Sequence, residues 1–345
     1  MTQYKNIAID TSQAVFTLHG IDQHDRPVLR INLRRAQMTT FFKKLPRTEI
    51  AMEACGSAHH WARELTAFGH MVHLIRPQYV KPYVKRGKND RNDAEAICEA
   101  SRRPGMHFVP VKLVSQQAQG MVLKVRDTLI GQRAQLANTL RGPAAEFGVI
   151  AAKGMSKVEP LLIAMEHEIA IPPEAKVMAA LWVGKSRNAT PGSRKSTPKL
   201  GDAHKANAVS QRLATVPGVG PVAALTLAIE IDPAAFESAR HLAALAGLTP
   251  QEHSTGGKQR MGGTGRAGNE PLRALCAAGA TSVFNAAIRP SSKQMTDWLR
   301  ALLQRKPRKL AAVALAIKMA RVAWALMTSG ESYRRPLAAT EGVAA

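Results

Sequence analysis

The sequence predicts an α/β domain at the N-terminus, a long helical middle segment that reads as a coiled coil, and a mainly α C-terminal domain. Three observations lead there. Up to about residue 110, short apolar runs alternate with helical stretches. From about 112 to 141, apolar residues recur at spacings of four and seven, and beyond 207 helical runs are punctuated by glycine turns. The expected boundaries are 1–110, 111–183, a basic flexible insertion at 184–207, 208–330 and a tail at 331–345.

In the first domain the strand candidates are 7–10, 15–19, 28–33, 49–53 and 71–75, with helices over 36–44 and 58–68. Strands first, then alternating helix and strand, is the order of an RNase H-like domain, and many other α/β folds share it. In the middle segment Met121, Val125, Leu129, Leu136 and Leu140 form an apolar seam among Lys124, Arg126 and Arg133, and Gly142-Pro143 stops it. Such a seam packs on its own domain or pairs with another chain, and the reading leans towards pairing. Residues 184–207 are basic and rich in Gly, Pro and Ser, the composition of a linker.

The balance of 48 Lys+Arg against 25 Asp+Glu, net +23 with a pI near 10.5, predicts a polyanionic partner, nucleic acid before a membrane surface. No apolar run reads as long enough to span a bilayer, and the first residues lack the apolar region of a signal peptide. Cys55, Cys98 and Cys276 are scattered and odd in number, which speaks for a reducing cytoplasm and against a zinc site or disulfide framework.

Four carboxylates carry the chemistry. Asp10 ends the apolar run Ile7-Ala8-Ile9, Glu53 ends Ile50-Ala51-Met52, and Asp90 and Asp93 stand at i, i+3 where a helix begins. Singly, each reads first as a turn or cap residue, Asp90 as the cap of the following helix. Jointly, acids from strand ends and a helix start converge on one point, where their repulsion calls for a divalent cation. Mg²⁺ or Mn²⁺ suits oxygen ligands and phosphoryl transfer. RNase H/RuvC-like nuclease and transposase folds cut nucleic acid with such a set.

The C-terminal part offers three features. Val216-Pro217-Gly218-Val219-Gly220-Pro221 resembles the hairpin of a helix-hairpin-helix motif, whose glycines let backbone N–H groups approach a phosphate. It reads equally as a tight turn between packed helices. The glycine-rich stretch 246–273 places Ser254 near Lys258, Arg266 and Arg273 in sequence, so a phosphate-cradling loop with Ser254 as nucleophile is one reading and turn formation the other. The last helices carry Arg300, Arg305, Lys306, Arg308, Lys309, Lys318 and Arg321 with no acid between Asp297 and Glu331, a run that suits a nucleic-acid backbone.

These residues together resemble the insertion-sequence transposases of the IS110 family. The most specific pieces are Asn89-Asp90-Arg91-Asn92-Asp93-Ala94, Pro217-Gly218-Val219-Gly220, Gly247-Leu248-Thr249-Pro250 with Ser254-Thr255-Gly256-Gly257-Lys258, and Gly268-Asn269 with Leu272-Arg273. The resemblance covers roughly 5–110 and 210–290. It implies a RuvC-like domain whose DEDD metal ligands are Asp10, Glu53, Asp90 and Asp93, joined to a domain whose Ser254 attacks DNA to form a transient phosphoserine link. It further implies a tetramer with active sites shared between subunits, and a noncoding bridge RNA that pairs with donor and target DNA, in a bacterial cytoplasm at the nucleoid. The chain departs at Thr264-Gly265-Arg266, where relatives often have Ile-Ser-Lys, and at the basic stretch 184–207. From the residues alone, a metal-dependent junction-resolvase-like nuclease and a catalytically dead basic binding protein stand as alternatives.

Overall fold

The computed structural model of the chain describes residues 3–85, 89–265, 268–289 and 296–334, and for 183–197 the backbone alone. The chain divides into two units, Met1–Leu113 and Val114–Ala345.

The first unit holds a mixed six-stranded sheet in the order β3-β2-β1-β4-β5-β6. Its strands are β1 (Asn6–Thr11), β2 (Val15–Ile21), β3 (Pro27–Arg34), β4 (Glu49–Glu53), β5 (Met71–Ile75) and β6 (Phe108–Val109). The first three pair antiparallel; β4 runs parallel to β1 and β5 parallel to β4. Helices α1 (Arg35–Lys43), α2 (Ala58–Ala67), α3 (Pro77–Val80) and α4 (Asp90–Ser101) complete the unit. Five strands and two helices fall within two residues of the spans the sequence predicts. The two-residue β6 is too short to read as an apolar run.

The period of two along each strand splits the sheet residues between two faces. Ile7, Ile9, Ile50, Met52 and Leu74 pack with Met38 and Phe42 of α1 and Trp61 and Leu65 of α2. On the other face Ala8, Ala51 and Ile75 meet Ala96, Ile97 and Ala100 of α4. Alanines on both sides of this contact let α4 lie close to the sheet, which fixes the height of its N-terminus.

The second unit contains α5 (Val114–Glu146), α6 (Val158–His167), α7 (Pro173–Lys205), α8 (Ala208–Leu213), α9 (Pro221–Glu230) and α10 (Ala239–Leu245). A hairpin of β7 (Pro250–Glu252) and β8 (Met261–Thr264) follows, then α11 (Glu270–Ala287), α12 (Asp297–Arg305) and α13 (Arg308–Ser329). Helix α7 returns antiparallel along α5: Leu123 meets Leu200 near one end, and Ala137 and Leu140 share a cluster with Ala179 near the other. The main core joins α8, α9, α10, α11 and α13 through residues such as Leu213, Leu227, Leu242, Cys276, Ala280 and Met319.

Three expectations change here. The stretch 184–207, expected as a flexible insertion, continues α7 as far as Lys205. The helix is anchored on α5 at both ends, by Ala179 and by Leu200, and tertiary packing overrides a loop-like composition. Helix α5 runs past Gly142-Pro143 to Glu146, because a proline in the last turn removes a single ladder hydrogen bond. Finally, one helix, α13, is long and apolar enough by length and composition to cross a membrane, against the expectation of none. Its alanines raise its hydropathy, while Ala316, Met319, Ala320 and Ala323 sit in the core of the second unit.

The expected seam of α5 is divided. Leu140 is buried and Leu129 and Leu136 are half-buried, whereas Met121 and Val125 are exposed. Leu123, Ala137 and Ala144 supply the rest of the inward face.

The turn before α9 shows why its glycines are there. Gly218 has φ +85°, and a Cβ on it would lie 2.7 Å from the Gly279 carbonyl oxygen of α11. A Cβ on Gly279 would in turn stand 2.2 Å from the Gly218 oxygen. Two backbones touch here, so the tight-turn reading accounts for Gly218. Gly220 is exposed with open space around its Cα. Gly279→Ala is therefore expected to destabilise the second unit by about 2–3 kcal/mol through overpacking, and Gly220→Ala by about 1 kcal/mol or less. Urea unfolding followed by circular dichroism checks the contrast; equal effects would contradict this packing.

Candidate active site

The acid centre follows from strand register. Parallel pairing sets Ala8 opposite Ala51 and Ile9 opposite Met52, so the next residues, Asp10 and Glu53, lie abreast at the carboxyl ends of adjacent strands. Alternation turns both to the face of Ala8 and Ala51, the face that α4 covers. The N-terminus of α4 arrives there with Asp90 and Asp93. Its cap is Asn89, whose side chain accepts from the backbone N–H of Arg91 and Asn92 at 2.7 and 3.2 Å. Because Asn89 caps the helix, Asp90 is left to other work.

One carboxylate oxygen from each of Asp10, Asp90 and Asp93 lies within 4.8 Å of the others. Glu53 is not in this triplet, yet it is close enough for its charge to act on Asp10 and for that of Asp93 to act on it. Burial, then repulsion from Asp93, Asp90 and Glu53, pushes Asp10 up to about 6. Burial and Asp93 likewise raise Glu53. Thr11 Oγ1 and Cys55 Sγ, 2.7 Å apart, link the residue after Asp10 to the second residue after Glu53, a contact the sequence did not signal.

Ser254 sits in the other unit, on the hairpin that the glycine-rich stretch forms. Thr255-Gly256-Gly257-Lys258 makes its tip, with φ +57° and +75° at the two glycines and Lys258 N–H donating to Thr255 O at 3.1 Å. Positive φ at both central residues is the type I′ turn that suits strand twist, so Gly256 and Gly257 serve the turn. Ser254 Oγ donates to Glu252 Oε1 at 2.6 Å and accepts from Arg260 N–H at 3.2 Å. Glu252, two residues before Ser254, shares its side of the strand, whereas the adjacent Thr255 points the other way. Neither Glu252 nor the Arg260 amide stood out in the sequence, although an acid at i−2 on a strand is a usable signal.

The remaining candidates divide. Lys258 is exposed at the hairpin tip, and Arg273 is half-buried in the first turn of α11. Arg266 lies outside the described residues. Gly268 fits against the Leu245 oxygen and Gly247, and Asn269 caps α11 by accepting from Leu272 N–H at 2.9 Å, so this pair holds architecture. On α13, Lys318 and Arg321 are exposed on neighbouring turns, with Lys318 Nζ 4.3 Å above the Trp298 ring. Lys309, also exposed, lies roughly 180° round the helix from Lys318 at about 100° per residue.

The geometry defines a protein with a triplet of converging acids in an α/β unit and a polar serine hairpin in a helical one. Residues 210–296, which contain that hairpin, match the family model of the IS116/IS110/IS902 transposases. A protein of Sinorhizobium fredii named as a transposase is 50% identical over 334 residues, 96% of this chain and 86% of the relative. A family 20 transposase of Pseudomonas aeruginosa is 43% identical across 95% of this chain and 98% of its own length. The transposase for insertion sequence element IS1111A of Coxiella burnetii is 38% identical across 97% and 92%. The chain belongs to the IS116/IS110/IS902 family of transposases.

Crowded acids leave a measurable trace. The folded protein holds a proton on Asp10 up to about 6, above the ordinary 3.8. Without divalent cation the protein is therefore expected to gain stability as pH falls from 7 through about 6, since the folded state then takes up a proton that the unfolded state does not. At pH 7.5, Asp10→Asn is expected to raise the melting temperature of the chelator-treated protein by a few degrees. Adding Mg²⁺ should stabilise the wild type and leave the variant unchanged. Scanning calorimetry reads both; a less stable Asn variant would contradict the crowding.

Proposed function

We propose that the chain is a divalent-metal-dependent transposase that cuts and rejoins insertion-sequence DNA through a phosphoserine intermediate. The observation that carries this is the convergence of Asp10, Asp90 and Asp93 within 4.8 Å, with Glu53 beside them. An all-oxygen donor set whose members raise one another's proton affinity fits Mg²⁺ or Mn²⁺. Asp10, Asp90 and Asp93 would hold the ion with Glu53 completing the DEDD set, and such an ion supplies Lewis-acid stabilisation of the charge on a phosphoryl group. Three antiparallel strands leading into two parallel crossings, with acids at the strand ends, support the RNase H/RuvC-like reading of the first unit.

Ser254 performs the covalent step. Its hydroxyl proton passes to the Glu252 carboxylate while the Arg260 N–H holds Oγ in place. Oγ bonds to phosphorus, the phosphorus bond to a deoxyribose oxygen breaks, and that oxygen takes a proton from solvent. Reversal on a second strand completes the exchange and regenerates the hydroxyl. Lys258, Arg266 and Arg273 serve the phosphate charge, and the backbone N–H groups around Gly218 and Gly220 with Lys309, Lys318 and Arg321 serve the nucleic-acid backbone. Exposed Met121 and Val125 on α5 support pairing of subunits, and the family resemblance supports a tetramer that shares its sites. The same resemblance supports a noncoding bridge RNA as guide, with base pairing reading sequence while a chain of net +23 contacts backbones, at the bacterial nucleoid.

Ser254→Ala is expected to bind DNA normally and form no covalent adduct, with Thr255→Ala milder. Glu252→Gln, which keeps an oxygen acceptor for the hydroxyl, should slow adduct formation by about 10²-fold or more. Trapping the reaction with labelled DNA and mapping the modified peptide by mass spectrometry checks each; an adduct on any other residue would overturn the assignment.

Binding should also weaken steeply with salt. Replacing Lys318 and Arg321 by Ala is expected to lower the slope of log affinity against log salt by about 1–2. Fluorescence anisotropy over a salt series reads this, and an unchanged slope would turn that face of α13 away from nucleic acid.

A further inference from the structure

We propose that the first unit carries a second nucleic-acid site, a cleft that receives one unpaired nucleotide with its base against Tyr79 and Tyr83. The cleft, about 310 Å³, is lined by Tyr79, Pro82 and Tyr83 on one stretch of chain and by Arg103 to His107 on another. The chain holds 4 tyrosines in 345 residues, and two of them meet here. A ring face stacks on any base, and a strongly basic chain poor in aromatics has few other places to offer one.

Charge and rigidity point the same way. The Arg103 guanidinium lies 5.7 Å above the Tyr83 ring and pairs with the Glu99 carboxylate, which holds its plane in position. His107 is exposed at the same opening. A planar cation layered on an aromatic ring suits a base plane and the phosphate attached to it. Both walls are preformed. Pro82 lies in the short 3₁₀ turn Lys81–Tyr83, and Arg103-Pro104-Gly105-Met106 closes with Met106 N–H donating to Arg103 O at 3.2 Å. Gly105, at φ +76°, supplies the positive φ that the third residue of a type II turn needs, and Pro104 before it is a residue common in such turns. A nucleotide entering this cleft orders little that is loose.

Position connects the cleft to the chemistry. Asp90 and Asp93 open α4, and Arg103 stands just past its C-terminal residue, Ser101. A helix of 12 residues spans about 18 Å, on the order of five stacked nucleotides. A strand whose phosphate meets the acids therefore reaches the cleft a few nucleotides on. This inference rests on the nucleic-acid reading of the acid centre and adds to it a second point of grip on a single strand.

The test uses the full chain with short single-stranded DNA and RNA oligonucleotides carrying one 5-iodouracil. Irradiation is expected to crosslink the probe to Tyr79 or Tyr83, and the stronger of the two nucleic acids identifies which strand the cleft holds. Tyr79→Leu and Tyr83→Leu, which keep an apolar side chain, should lose the crosslink and weaken single-strand binding about tenfold while duplex binding stays the same. Arg103→Gln provides a second variant that leaves both rings in place and should also weaken the single strand. Crosslinks mapping elsewhere, or leucine variants that bind single strands like the wild type, would overturn the cleft. If Mn²⁺ binding and DNA cleavage persist in that case, the reading of the acid centre stands alone. Crosslinking at the tyrosines without Mn²⁺ binding would sink the acid centre and leave the cleft.

Discussion

Ala8 and Ala51 lie abreast in parallel strands, and the acid centre follows from that register. It sets Asp10 beside Glu53, and the small side chains let α4 settle close enough for Asp90 and Asp93 to reach the same point. A slip of one residue would turn Asp10 to the opposite face, among Ile7 and Ile9, where an unpaired carboxylate has no compensation. Hydrophobic packing therefore enforces an arrangement that electrostatics opposes. The raised proton affinity of Asp10 and Glu53 is the residue of that conflict, and in the proposed function a divalent cation would relieve it.

The serine site rests on a different device. A type I′ turn of two glycines holds a short hairpin whose alternation separates Ser254 from Thr255 and places Glu252 at the hydroxyl. Elsewhere in the second unit, glycines let segments of backbone touch: Gly218 against Gly279, and Gly268 against Leu245 and Gly247. Here the glycine-rich motifs build a scaffold in which one polar pair is displayed. The two candidate centres lie in different units, the acid triplet in one and the Ser254–Glu252 pair in the other.

Much of this was legible in the sequence because strands and acids announce themselves locally. The five longer strands read as short apolar runs, and Asp10 and Glu53 each interrupt such a run at its end. The pairing of β1 with β4 is a non-local fact, so convergence had to be inferred from the charge that needed company. The sequence offers Asp90 as the cap of α4, and the structure places Asn89 there; both residue types cap helices well, so local sequence does not separate them. The stretch 184–207 misled because its composition is that of a linker, while Ala179 and Leu200, one on each side of its centre, bind the helix to α5. Gly218 carried two readings that sequence cannot separate, because a phosphate and a neighbouring carbonyl exclude a Cβ equally well. The Tyr79–Tyr83 cleft was invisible, since its other wall comes from Arg103 to His107, about twenty residues on.

The most direct test is to count Mn²⁺ ions bound to the full chain by electron paramagnetic resonance, in the wild type and in Asp93→Asn. If the triplet of Asp10, Asp90 and Asp93 holds an ion with Glu53 beside it, the wild type should bind at least one ion at micromolar to millimolar concentration, and the substitution should abolish that binding while the circular dichroism spectrum stays the same. Identical Mn²⁺ binding by the two proteins would contradict the account, because the acids would then meet in space without sharing an ion.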